Sequence, residues 1–179
     1  MNRLATLVIV SGLLLSGCSD SGSSTSTGGA ADSIAPLSAQ EAKTLTFMRE
    51  EEKLARDVYR ALFERWNISL FSNIAGSEQR HMDILANMLS RYGLPDPVAS
   101  DSTGSFTDPT LASLYNQLVD RGSRSESEAI EVGIFIEQTD ITDLRNAIEE
   151  SSHADLDQAY ENLLNGSFNH LSAFSSYGS

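Results

Sequence analysis

The sequence predicts an all-α fold: four long helices packed as a bundle, with one long crossover between the second and third that itself contains a short helix. Three observations predict it. Four stretches place apolar residues in steps of three and four, the spacing of a buried helix face. The breaks inside the first and second pairs of stretches are short enough to force antiparallel neighbours. About thirty residues separate the second stretch from the third, which is enough chain to cross the length of a helix even with a helix within it.

The first stripe runs Leu45, Met48, Glu52, Ala55, Tyr59, Leu62, Trp66. Its helix begins near Ser38, whose hydroxyl can cap, with Glu41 three residues later completing a capping box, and it ends at about Trp66. After the Asn67-Ile68-Ser69 break, a second helix from about Leu70 to Tyr92 carries Phe71, Ile74, Glu78, His81, Leu85, Met88 and Tyr92. Gly93 is its natural stop, reinforced by Pro95 and Pro97. The crossover spans 93–123, with turns at Asp96-Pro97 and Asp108-Pro109 and a short helix at Pro109–Val119. The third long helix starts near Ser125, reaches about Glu150 and is expected to bend around Thr139–Thr142. Its stripe is Ile130, Ile134, Glu137, Ile141, Leu144, Ile148. A turn at 151–154 leads to the last helix, ending near Phe174, with Leu156, Tyr160, Leu163, Ser167, His170 and Phe174 in its row. Each long helix spans roughly 30–38 Å at 1.5 Å per residue.

Every stripe is interrupted by a polar group, and in all but one position that group can bind a metal. A carboxylate or imidazole in a buried row must be paired, protonated or coordinated, because an isolated buried charge is too costly. Glu78 and His81, three residues apart, share one helix face and can reach one ion together. Glu52 is the one of three consecutive acids that falls on its stripe. Glu51 sits on the flank as its substitute, and the run Glu50–Glu52 as a whole reads as a solvated face. Glu137 lies between Ile134 and Ile141, and Asp140 can join it or support it by a hydrogen bond. His170 completes the set. Glu128, Glu131 and Asp143 read as exposed, and His153 as exposed or capping. Counted from the two short turns, Glu52 with His81 and Glu137 with His170 fall within about 5 Å in height, compatible with one shared site. The competing reading is a pair of buried Glu–His ion pairs without metal.

The chain opens with Met1, Asn2 and Arg3, followed by an apolar run from Leu4 to Leu15 and small residues before Cys18. This is the pattern of a secretory signal. The ending Leu15-Ser16-Gly17-Cys18 resembles a bacterial lipobox, which implies a signal peptide over 1–17 and lipid on Cys18, the only cysteine. Residues 18–38, rich in Ser, Gly, Thr and Ala, read as a flexible tether. Residues 39–179 then form one domain of ordinary size. The expected location is the cell envelope, with the membrane met only through that lipid. Ser19 after the cysteine resembles lipoproteins of the Gram-negative outer membrane, facing the periplasm. The net charge is −13, and −14 once residues 1–17 and their single Arg3 are gone. Such a balance argues against nucleic acid as a partner.

The stretch Leu45 to Tyr59, with Phe71–Ala75, Ser77–Met82, Arg91–Pro97 and Gly166–Leu171, resembles a bacterial and archaeal family of uncharacterised domains grouped with the ferritin-like superfamily. That resemblance implies a ferritin-like four-helix bundle, a class whose metal sites use inward Glu and Glu-x-x-His motifs. Against the diiron members, Glu52, Glu78, His81 and Glu137 fill expected roles, but Ser167 stands where a fourth Glu is expected. The functional expectation is an envelope-anchored metal-binding protein. Glu52, Glu78, His81, Glu137 and His170 are its ligands, with Glu51 and Asp140 in reserve. Iron is the expected ion, with manganese or zinc as alternatives. If enzymatic, it is a non-haem diiron oxidoreductase that oxidises ferrous iron or reduces dioxygen or peroxide. The alternative is a non-catalytic interaction module with a structural metal or buried ion pairs. Tyr59 and Tyr160, on inner stripes, are candidate hydrogen-bond donors or radical sources.

Overall fold

A computed structural model describes residues 35–98 and 100–178. The expected signal peptide over 1–17, Cys18 and the expected tether up to Ile34 lie outside the described residues. Five helices follow in order: α1 (Ala39–Trp66), α2 (Ser69–Arg91), α3 (Pro109–Gly122), α4 (Glu126–Glu150) and α5 (Ala154–Ser175). Among the described residues there is no strand, and no helix is long and apolar enough to cross a membrane.

The helix ends follow local chemistry. Ser38 and Glu41 form the capping box of α1, with Glu41 N donating to Ser38 Oγ (3.1 Å) and Ser38 N to Glu41 Oε2 (2.8 Å). Asn67 closes α1 in the left-handed region at φ 54°. α2 ends in a Schellman motif: Gly93, at φ 66°, donates to Ser90 O and Leu94 to Leu89 O. Asp108 caps α3, with Pro109 at its first position. α3 runs three residues beyond the expected Val119, because Gly122 is buried under Leu62 and its carbonyl accepts from Trp66 Nε1 at 2.8 Å. α4 runs unbroken through Thr139–Thr142, whose hydroxyls bond back to the carbonyls of Phe135 and Gln138.

α1 packs along α2 and α4 along α5, while α1 also meets α4, α2 meets α5, and α3 lies against α1 and α4. The interior is layered. One apolar cluster includes Val58, Tyr59, Leu62, Phe71, Val132 and Phe174. The other includes Leu45, Met48, Leu85, Leu89, Leu144 and Leu163. Between them lies a layer of buried Glu, Asp and His residues.

Three expectations need correction. The acids Glu50, Glu51 and Glu52 are all buried, because the crossover covers the outer side of α1. Glu50 accepts from the backbone N–H groups of Thr107 and Asp108. Arg49 pairs with Asp96, Lys53 with Asp57 and the Ser102 carbonyl, Arg56 with Asp57 and Asp101, and Gly104 N with Asp57. Second, Asp143 is half-buried against Glu51 rather than solvated. Third, the buried face of α4 passes through Ala129, Val132, Gly133 and Ile136, leaving Ile130 and Ile134 half-buried. The helices approach closely there: a Cβ on Gly133 would lie 2.6 Å from the Phe174 ring.

His153, at the N-cap of α5, makes no capping bond with its side chain and instead meets Glu41 Oε1 at 2.8 Å. Ser152 N donates to the same oxygen at 2.8 Å. Burial alone would raise the Glu41 carboxyl, but hydrogen bonds from Ser152, Ser38 and His153 outweigh it and hold the group well below its ordinary value. A depressed folded value contributes stability above the unfolded value of about 4.3 that is lost as pH falls toward the folded one. Between pH 5 and pH 3 the wild type should therefore lose more unfolding free energy in urea than Glu41→Gln, whose amide has no proton to take up.

Candidate metal centre

Four helices each deliver side chains to the polar layer, for the reason the stripes suggest: each sits one or two turns from large apolar neighbours that fix its height. Glu52 comes from α1, Glu78 and His81 from α2, Glu137 and Asp140 from α4, and Ser167 and His170 from α5. All are buried, with 8% exposure the most that any shows. The five expected ligands are brought together as two triads, Glu52–Glu78–His81 and Glu78–Glu137–His170, each with ligand atoms within 4.8 Å of one another. Glu78 belongs to both. Its Oε2 lies 2.8 Å from His81 Nδ1 and its Oε1 lies 2.9 Å from His170 Nδ1. Glu52 Oε2 is 3.2 Å from His81 Nδ1, and Glu137 Oε2 is 3.5 Å from His170 Nδ1. The two rings stack at 5.5 Å between centroids, 27° apart.

The charges are strongly interdependent. Burial lowers the His81 imidazole, but the Glu52 and Glu78 carboxylates reverse this and raise it to about 11. Burial likewise opposes protonation of His170, and Glu137 and Glu78 raise it to about 9. Burial would lift Glu78, yet the two imidazoles hold it down at about 2. Glu52 is pushed up to about 7, first by burial and then by repulsion from Glu78, with His81 pulling the other way. Glu137 also reaches about 7, from burial and the Glu78 charge, against the pull of His170 and Tyr59. Asp140 is raised by burial and by its acidic neighbours. Without a cation, the cluster holds its protons tightly; an ion that binds must displace them.

Glu78 Oε1 and His170 Nδ1 are close enough to touch but are not aligned for a hydrogen bond, and neither makes a hydrogen bond elsewhere. Buried polar atoms are normally satisfied. Two donors brought together without bonding each other suit an ion shared between them. The set of carboxylate oxygens and imidazole nitrogens suits first-row divalent cations.

Other groups shape the site. Tyr59 donates to Glu137 Oε1 at 2.5 Å, fixing that carboxylate from the apolar layer below. Tyr160 lies away from the ligands, its hydroxyl buried without a partner among the second apolar cluster. Glu51 falls in neither triad but lies against Asp143. Asp140 is likewise outside them, and the Ser167 hydroxyl donates to its Oδ2 and so links α5 to α4 where a fourth Glu was expected. Gly166 was missed by sequence reasoning. A Cβ there would lie 2.5 Å from His81 Nε2, so only glycine lets this imidazole back against α5. The single local signal was a glycine inside a helix that otherwise has none. Gly166→Ala should push the ring off its carboxylates and weaken metal retention by roughly the 10–100-fold typical of supporting residues, with a helical circular-dichroism spectrum unchanged.

Residues 41–177 match the profile of the uncharacterized protein domain DUF2202. The chain is 47% identical over 148 residues to the uncharacterized protein MJ0754 of Methanocaldococcus jannaschii, covering 80% of each. It superposes on the crystal structure of the hypothetical protein MJ0754 from Methanococcus jannaschii with a TM-score of 0.79 at 45% identity, covering 84% of this chain and 88% of that one. A DUF305 fragment from Deinococcus radiodurans shares the fold alone, with a TM-score of 0.63 at 17% identity over 79% of this chain and 96% of that one.

Proposed function

The chain belongs to the DUF2202 family, and on that premise we propose that it is a metal-binding protein with a dinuclear carboxylate–imidazole centre, built as a ferritin-like four-helix bundle with one long crossover. The observation that carries this is Glu78, whose two oxygens face two histidines from different helices at 2.8 and 2.9 Å. Glu52 with His81 would hold one ion and Glu137 with His170 the other, with Glu78 between them. Iron is the expected occupant, with manganese or zinc fitting the same donors. When bound, redox-active ions of this kind supply the one-electron steps needed to oxidise ferrous iron or to reduce dioxygen or peroxide.

The protein's own residues set the conditions for that chemistry. The apolar clusters above and below keep bulk water from the layer. Tyr59 holds Glu137 by its hydroxyl and is the proton donor nearest that carboxylate. His81 and His170 must surrender protons as ions bind, so affinity rises with pH. In the same reading, the lipobox-like ending at Cys18 would carry the lipid that anchors the domain in the cell envelope, facing the periplasm from the outer membrane in a Gram-negative cell, with the Ser/Gly-rich segment as its tether.

The deciding experiment is metal analysis of residues 39–179 after aerobic ferrous loading and desalting, with dioxygen uptake recorded alongside. About two irons per chain with oxygen consumption is the result expected of a diiron oxidase. Tight metal without turnover would move the reading to a binding or structural role. Background metal in a folded chain would leave buried Glu–His ion pairs, the alternative favoured by the protonated histidines of the metal-free layer.

A further inference from the structure

Under α3, along the seam between α1 and α4, the helices leave a cavity of about 20 Å³, above the roughly 10–15 Å³ that one water needs. Its exposed lining is mostly apolar, supplied by Ala55 of α1, Leu111, Leu114 and Leu118 of α3, and Phe135 and Ile136 of α4. Buried acids border it as well, but the unpartnered oxygens of Glu51, Glu52, Glu78 and Asp140 show it no surface. Thr139, also at its wall, donates its hydroxyl proton to the Phe135 carbonyl of its own helix at 2.9 Å.

Burial gives the cavity a direction. Leu114, Phe135 and Thr139 are half-buried and mark its outer end. Leu111 and Leu118 are buried behind them, and the side chains of Glu52, Glu78 and Glu137 close the inner end. Those three belong to the proposed dinuclear set, whereas neither His81 nor His170 borders the cavity. A small molecule in it would therefore reach the centre from the carboxylate side. A void lined this way offers water few partners and accepts an apolar guest. Hydrogen peroxide would forfeit hydrogen bonds on entering it, and an anion would be repelled by the surrounding acids. Dioxygen is small, uncharged and apolar, and has no hydrogen bonds to lose.

We propose that this cavity is a dioxygen site, which admits the gas past Leu114 and Phe135 and holds it beside Glu52, Glu78 and Glu137. Dioxygen, rather than peroxide, is then the oxidant that reaches the centre. The cavity is a property of the metal-free chain, and only its purpose rests on the dinuclear reading. α3 has a matching role: lying against α1 and α4, it supplies the leucines that keep the passage apolar.

Dissolved dioxygen is itself the probe, because its unpaired electrons speed the nuclear relaxation of the methyl groups it touches. In the metal-free full-length protein under dioxygen pressure, the methyls of Leu111, Leu118 and Ile136 should relax severalfold faster than under nitrogen. Ile74 and Ile141 are the controls, since each is as buried as Ile136, at 5% exposure, and lies outside the cavity. Leu114→Trp, a change at a half-buried position, should narrow the mouth and remove most of the enhancement. Metal uptake by that variant should match the wild type, which separates a closed passage from a damaged centre. Equal enhancement at cavity and control methyls would overturn the proposal, as would enhancement that Leu114→Trp leaves unchanged. Background metal in a wild type that still shows the cavity enhancement would instead overturn the dinuclear reading and leave the gas site standing.

Discussion

Glu78→Ala should strip metal from both halves of the centre at once, whereas Glu137→Ala should strip it from one. Glu78 is the only residue in both triads, and its oxygens reach imidazoles on α2 and α5. Loss of a direct ligand should exceed the 10–100-fold loss of affinity typical of supporting residues. After loading and desalting, metal analysis should find about two ions per wild-type chain, one in Glu137→Ala and none in Glu78→Ala. The fold should survive. His81 retains Glu52 and His170 retains Glu137, and either imidazole can shed its proton when its partner goes. Two ions retained by Glu78→Ala would mean that the ligands lie elsewhere.

A second large effect lies on the opposite face of α1. Asp57→Ala should cost about 3–5 kcal/mol, the range for breaking a buried ion pair from one side. Asp57, Lys53 and Arg56 are each fully buried, and Asp57 is the shared counter-ion, at 2.5 Å from Lys53 and 2.8 Å from Arg56. It also accepts from Gly104 N at 3.0 Å, pinning the crossover. Removing it leaves two buried cations. Lys53 keeps the Ser102 carbonyl and the Phe106 ring, and Arg56 keeps Gln79 and Asp101. Thermal unfolding should fall by on the order of 10 °C. Asp101→Ala is the control: its side chain is 63% exposed, and an exposed partner is worth about 0–1 kcal/mol.

The rows of α1, α2 and α5 were legible because their inward residues are large and regularly spaced, so Glu52, Glu78, His81 and His170 could be seen as intruders among leucines and aromatics. Glu137 was legible by the same logic, although its row was drawn through the wrong isoleucines. There Gly133 lies against Phe174 of α5 beside the buried Ala129, and small residues leave little hydrophobic signal. Gly166 was hidden for a related reason, since its role is the space it does not fill. The burial of Arg49 to Asp57 was illegible for a different cause. A helix covered on both sides has no polar face to show, and its partners, Asp96, Asp101 and the backbone of 102–108, sit in a loop whose path no periodicity reveals.

The doubly covered α1 also reverses the usual relation between polarity and mutational tolerance. In most domains the hydrophilic stretches absorb substitution and the apolar ones resist it. Here Arg49-Glu50-Glu51-Glu52-Lys53-Leu54-Ala55-Arg56-Asp57 is among the most charged segments of the chain and is buried at every position. Glu51 and Glu52 face Asp143 and His81 inside the bundle, whereas Arg49, Glu50, Lys53, Arg56 and Asp57 clamp the crossover, so a change of charge at one disturbs the site and at another releases the strap. The segment that looks most like replaceable surface is the one in which drift is least affordable.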